Sequence, residues 1–264
     1  MRNLCWIFGL LLLLAAPAAF AAEAGGQPQA APEAKTPDLA PEAAAPMAAM
    51  CDYLKARPSF TFTAEVETDK VYPNGQTIQV SRTAKVAVKR PDKAYSHVVG
   101  DDRDRDFIYD GKTVTVADLD RGVYAVTDAP PTLDATIDML EEKYGLSAPL
   151  GDVIYGDPCA ALLEHVRTGD CVGTHQAVGK ACDHLAFTQK ALDWQMWVEK
   201  GKTPLPRKFV ITDKEIMGWP QYQVTFTDWD VAPHLAAGLF TFKPLEGMRR
   251  IEFLPMLENS DKTK

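Results

Sequence analysis

Phe60-Thr61-Phe62-Thr63-Ala64-Glu65-Val66-Glu67 decides the fold. Apolar and polar residues alternate strictly, so this stretch is a half-buried strand with one apolar and one wet face. Pro73-Asn74-Gly75 then turns the chain. Ile78, Val80, Ala84, Val86 and Val88 continue on one face, with Arg82 the single polar exception. Strands follow over Lys93 to Val99 and Asp106 to Tyr109. Asp110-Gly111 is a hairpin signal, Val114 and Val116 alternate with threonines, Asp120-Arg121-Gly122 turns, and Val123 to Val126 returns.

Upstream, Met47, Met50, Cys51 and Leu54 recur at i, i+3, i+4, i+7, which predicts a short amphipathic helix ending before Pro58. Downstream lies a helical insert, about Thr132 to Val166. Ile137, Leu140 and Tyr144 share one helical face; Asp157-Pro158 is an N-cap and first-turn pair, with Ala161, Leu162, His165 and Val166 behind it. A second meander covers Cys171 to Ala177, Cys182 to Gln189, Asp193 to Val198, Arg207 to Asp213 and Gln221 to Trp229, and Phe240 and Phe242 mark a last strand. The fold class is α+β, mainly antiparallel β. One sheet with few helices must fold on itself, pair with another sheet, or leave a hydrophobic hollow under the helices.

The N-terminus belongs to targeting rather than fold. Met1-Arg2-Asn3 supplies one positive charge, Leu4 to Ala16 is apolar, and Ala19-Phe20-Ala21 is a small-x-small site, so a secretory signal is expected over 1–21 with cleavage before Ala22. The apolar run is short of the roughly 20 residues a spanning helix needs. Residues 22–46, rich in Ala, Pro and Glu, read as a disordered tether; 47–257 read as one domain and 258–264 as a polar tail. The formal charge is −8 with no Lys/Arg cluster, which speaks against nucleic acid or an anionic membrane surface as partner. Beyond Cys5, the cysteines are Cys51, Cys159, Cys171 and Cys182, and export permits disulfides among them. Four allow three pairings. A hairpin turning near Val178-Gly179-Lys180 sets Cys171 opposite residues near 186 to 188 and disfavours Cys171–Cys182. Cys159 with Cys171 stays open, as do four free thiols.

The order of helix, meander, helical insert and second meander resembles the LolA-like fold of periplasmic lipoprotein carriers, a half-open barrel with a helical lid. Tyr109-Asp110-Gly111-Lys112-Thr113, Leu205-Pro206-Arg207-Lys208 and Leu239-Phe240-Thr241-Phe242-Lys243-Pro244 resemble its turn and strand signatures. More closely, Phe107-Ile108-Tyr109-Asp110-Gly111-Lys112, Asp183-His184-Leu185-Ala186-Phe187 and Asp193-Trp194-Gln195-Met196-Trp197 are similar to a bacterial family of predicted periplasmic proteins, the domain of unknown function 2092. The resemblance spans about Met47 to Pro255 and implies a periplasmic location and no assigned enzyme activity.

Chemistry-bearing clusters are sparse. Asp101, Asp102, Asp104 and Asp106 interleave with Arg103 and Arg105; on a strand, Asp102, Asp104 and Asp106 share a face. They read as a solvated charged edge rather than a calcium site. His175, Cys182 and His184 lie on two arms of one hairpin, with His175 opposite Cys182 or His184, too few ligands for structural zinc. No G-x-S-x-G motif is present. The sequence therefore assigns no catalytic residue, no metal and no cofactor. The aromatic and methionine content points to a ligand-binding hollow lined by Phe60, Phe62, Val86, Val114, Trp194, Met196 and Phe226. Trp197 and Trp229, out of phase with their apolar neighbours, read as a contact patch. These readings give a non-enzymatic periplasmic carrier of a lipid or other hydrophobic ligand. The alternative is a periplasmic protein-interaction or sensor module with a filled core; a hydrolase comes third.

Overall fold

The structure is a computed structural model and describes residues 36–146 and 151–256. The expected signal sequence, most of the tether and the polar tail lie outside them. The chain order is β1 (Asp38–Leu39), α1 (Pro41–Lys55), β2 (Ser59–Val71), β3 (Thr77–Lys89), β4 (Lys93–Gly100), β5 (Arg103–Tyr109), β6 (Thr113–Asp118), β7 (Val123–Asp128), α2 (Leu133–Tyr144), α3 (Gly151–Ile154), α4 (Pro158–Leu163), β8 (Thr168–Ala177), β9 (Lys180–Thr188), β10 (Leu192–Glu199), β11 (Pro206–Asp213) and β12 (Gln221–Asp230). A single 3₁₀ turn (Ala237–Phe240) and β13 (Arg249–Ile251) complete it.

All thirteen strands form one open sheet, ordered β1-β8-β9-β10-β11-β12-β2-β3-β4-β5-β6-β7-β13. The two meanders meet where β12 pairs antiparallel with β2. Within each, hairpins give the expected antiparallel pairing. The edges depart from it: β1 lies parallel to β8 and β13 parallel to β7.

The alternation read from β2 carries across the sheet. Phe60 pairs with Val88, Val88 with Ala94, Ala94 with Tyr109 and Tyr109 with Val114. In the other half, Leu185, Met196, Phe209, Val224 and Val66 form a second cross-strand row. Both rows are buried and lie on the face covered by the helices, here called the inner face. Met47, Met50 and Leu54 of α1, Leu133, Ile137 and Leu140 of α2, Val153 of α3 and Leu162 of α4 close over it. This cross-strand burial of one face is the main source of the sheet's stability.

Local chemistry fixes the insert. Thr132 caps α2, its hydroxyl accepting from Ala135 N at 3.4 Å, and Gly145 ends the helix in the left-handed conformation. Asp157 caps α4 with Pro158 behind it, as expected, and accepts from Ala160 N at 3.2 Å.

Several boundaries differ from expectation. Helix α1 begins at Pro41 rather than near Met47, so part of the expected tether is helical; Pro41 takes the first-turn place that suits proline, and Ala43 is buried. Phe240 and Phe242 form no strand. Phe240 ends the 3₁₀ turn, and Phe242 packs on Tyr124 of β7, ring centres 5.0 Å apart. The last strand is instead β13, an Arg-Arg-Ile segment. Beyond it Phe253 meets Tyr144 of α2 at 5.0 Å, and Met256 N donates to Lys143 O. The C-terminal segment thus wraps round the β7 edge and straps the end of α2.

Candidate functional site

All seven residues expected to line a hollow lie on the inner face. Phe60, Phe62, Val114, Trp194, Met196 and Phe226 are fully buried, and Val86, opposite Phe62, packs half-buried against them. Phe62 lies between Phe60 and Phe226, with ring centres at 6.3 and 5.6 Å, and Trp194 stacks on Phe187 at 4.0 Å. Two shallow grooves in the described surface avoid these residues. One, of about 460 Å³, runs between Val126, Thr127, Tyr144 and the 250–253 segment; the other lies over 65–67, 81–83 and 99–101. In this structure the inner face is closed over by the protein's own side chains.

The two tryptophans proposed as one patch lie on different faces. Trp197 is on the outer face, stacked on His184 at 3.8 Å, with the Lys208 ammonium 5.1 Å from its ring centre. Trp229 turns inward. Asp228 adopts a positive φ of 51° where the β12–β2 register shifts, and this half-turn carries Trp229 onto Phe62 at 4.6 Å, its Nε1 donating to Pro206 O. A bulge reverses the face of the next side chain, which strand phase alone does not reveal.

On the outer face His175 opposes Cys182 in the ladder, one of the two expected alternatives, while its Nδ1 lies 2.8 Å from Nδ1 of His184. His184 Nε2 reaches Gln195 Oε1 at 2.9 Å, and burial lowers the pKa of His184. Among the described residues no group of three or more His, Cys, Asp or Glu is placed to hold a metal ion.

The cysteines resolve cleanly. Cys51 of α1 and Cys159 of α4 form a disulfide with Cα atoms 5.6 Å apart, a pairing the spacing did not single out. Cys171 and Cys182 are free. Cys171 pairs with inner-face Leu185 and Cys182 with outer-face His175, so they point to opposite sides of the sheet.

The acidic run is not an edge, since β5 lies between β4 and β6. Nor do Asp102, Asp104 and Asp106 all share a face: Asp104 and Asp106 do, beside His97, and Asp102 does not. Asp102, in the β4–β5 turn, reaches inner-face Arg82; Asp106 lies outside, accepting from Tyr95 Oη at 3.2 Å and 2.9 Å from His97 Nδ1. Lys70, Arg82 and Arg103 converge on Asp102, and these hydrogen bonds hold its carboxyl well below the usual carboxylate range.

Two features escape the sequence reading. The β2–β3 hairpin overhangs β4, whose pairing stops at Arg82, and exposes Tyr72 and Ile78, while the β11–β12 loop, whose Gly218 lies near Val71 of β2, exposes Met217 and Trp219. Trp219 is 63% exposed with a positive φ of 49°; its position between Gly218 and Pro220 was the available signal. The second is Arg90, whose surroundings no local pattern encodes.

As a chemical device, the arrangement is an extended apolar surface behind short helices with few polar groups, which suits burial of an apolar group. Among solved structures, the chain is similar to an uncharacterized conserved protein from Thermus thermophilus (8% identity, 79% of this chain and 98% of that one, TM-score 0.48). It is also similar to the lipoprotein LppX of Mycobacterium tuberculosis (17%, 73% and 97%, TM-score 0.46) and to a LolA superfamily protein from Nitrosomonas europaea (9%, 76% and 97%, TM-score 0.33). A search of curated proteins finds no match. Residues 43–254 match the family described as predicted periplasmic protein (DUF2092), and the chain belongs to that family.

Proposed function

We propose that this protein is a non-enzymatic periplasmic carrier that holds a lipid or other hydrophobic ligand between the sheet and the helical insert, after export and cleavage between Ala21 and Ala22. The observation that carries this reading is the inner face itself. Its apolar rows cross both meanders, yet their cover is four helices of 15, 12, 4 and 6 residues. Thirteen strands laid flat would span roughly 58 Å, and sheets this wide curl. Curling gives a half-open barrel whose concave side is the inner face and whose lid is the insert. The disulfide supports an oxidising compartment. Lys55 to Asp157 and Tyr144 Oη with Thr127 hold the lid at its rim, and Tyr155 Oη to Asp138 ties α2 to the end of α3 within it. The exposed Lys55–Asp157 pair contributes little to closure, and in this reading α2 and α3 lift together while the disulfide keeps α4 attached to α1.

Native mass spectrometry of the mature protein from periplasm tests this. A hydrophobic mass that leaves on denaturation is expected. A clean apo mass, still clean after incubation with total membrane lipid, would overturn it.

A second reading, an interaction module, is favoured by the exposed apolar side chains Tyr72, Ile78, Met217 and Trp219. It predicts that Trp219→Ser abolishes capture of a periplasmic protein and leaves lipid content unchanged.

A further inference from the structure

Arg90 follows β3 and enters the seam between the sheet and the insert. Its Nη1 donates to Ile154 O of α3 at 2.6 Å, and its guanidinium carbon lies 5.3 Å from the centre of the Phe60 ring. Its Nε and Nη2 are buried and have no hydrogen-bond partner. Asp134, whose charge acts on Arg90, gives both carboxylate oxygens to Gly156 N instead. Leaving a buried charged donor unsatisfied is among the costlier arrangements in a protein interior.

The two unpartnered nitrogens are the pair on one edge of the guanidinium, the edge that grips an oxyanion side-on with two parallel N–H bonds. The same chain uses that edge elsewhere. Arg82 donates from Nε and Nη2 to the two oxygens of Asp102, both at 2.7 Å, and Arg103 does so at 3.1 and 3.3 Å. At Arg90 the protein supplies no carboxylate, and the guanidinium lies beside Phe60, the first ring of the run Phe60–Phe62–Phe226. The bond to α3 uses Nη1, so an oxyanion and the insert do not compete.

We propose that the Nε–Nη2 edge of Arg90 receives the oxyanion head, carboxylate or phosphate, of an anionic amphiphile whose apolar chain lies along Phe60, Phe62 and Phe226. This rests on the carrier reading and adds the ligand's polarity and direction: head at the seam, chain along the sheet. Burial lowers the pKa of Arg90, as expected for a cation awaiting a counter-charge.

The test uses three probes of one chain length, hexadecanoate, hexadecyl phosphate and hexadecanol, with the full mature protein, read by displacement of a fluorescent fatty acid. Wild type is expected to bind one or both anions about tenfold or more tighter than the alcohol, and whichever anion wins assigns carboxylate or phosphate. Arg90→Met is expected to lose that preference while keeping its affinity for the alcohol; Arg90→Lys retains part of it. Equal binding of all three by wild type would overturn the head assignment and leave the carrier reading standing. No binding of any probe would overturn both. Because the decisive comparison is between probes on wild type, it holds even if a variant folds poorly.

Discussion

Arg82 and Arg90 point to the same side of the sheet at opposite ends of the β3–β4 ladder, and the two ends solve the same electrostatic problem differently. At the Arg82 end, Lys70 and Arg103 join Arg82 around Asp102, so a cation reaching over the apolar face has its counter-ion within the chain. At the Arg90 end the cation is held by one carbonyl of the insert and an aromatic ring. Stability is built into the first end; at the second, an unpaired charge is retained at a cost.

The largest effect should come from removing the covalent clamp between α1 and the insert that carries Arg90's carbonyl partner. Cys51→Ser with Cys159→Ser is expected to lose about 2–5 kcal/mol in urea unfolding, and a reductant should do the same to wild type. An unchanged midpoint would mean that packing alone holds the insert. Next, Asp102→Ala leaves Arg82 unpaired and should cost about 1–3 kcal/mol, whereas Arg90→Met should lie within about 1 kcal/mol of wild type and can raise Tm. Equal losses at the two ends would erase the distinction.

The third effect is on pH dependence. The folded-state pKa of Asp102 lies below its unfolded value, so its contribution is present above pH ~4 and disappears as pH falls below it. Asp102→Asn should flatten that acid limb, and Arg90→Met should leave it unchanged. The smallest effect belongs to the outer face. The pKa of His184 is lowered, so wild type should lose a little Tm as pH drops below ~6.5, and His184→Gln should lose less.

The sheet was legible wherever side chains alternate. β2, β3 and β9 to β12 fall near their expected positions because each buries one face, and β8, mostly exposed, is found as the arm of its hairpin with β9. Segments that pair while burying little were not: β13 is Arg-Arg-Ile, exposed at all three positions, and β1 is two residues long with only Leu39 half-buried. Phe240 and Phe242 mimic a strand over three residues, too few to separate alternation from a turn. The inner-face assignment of the seven hollow residues follows from phase alone, but Trp229 obeys a bulge at Asp228 that phase does not encode. Cys51–Cys159 joins residues 108 apart through the packing of α1 on α4. Arg90 was silent for the same reason: its significance lies in what surrounds it across the seam.

Both margins of the sheet are occupied by brief parallel additions from opposite ends of the described chain, β1 on β8 and β13 on β7. These are its guards against polymerisation, because an uncovered strand presents a row of N–H and C=O groups on which another molecule can grow. Each guard is only two or three residues long, and Leu39 of β1 alone packs against the core. A fragment trimmed to the family boundaries, 43–254, keeps all the buried rows and β13 but discards β1. Such a fragment would fold with one margin bare, and its failure in solution would look like instability when it is recruitment of strand by strand.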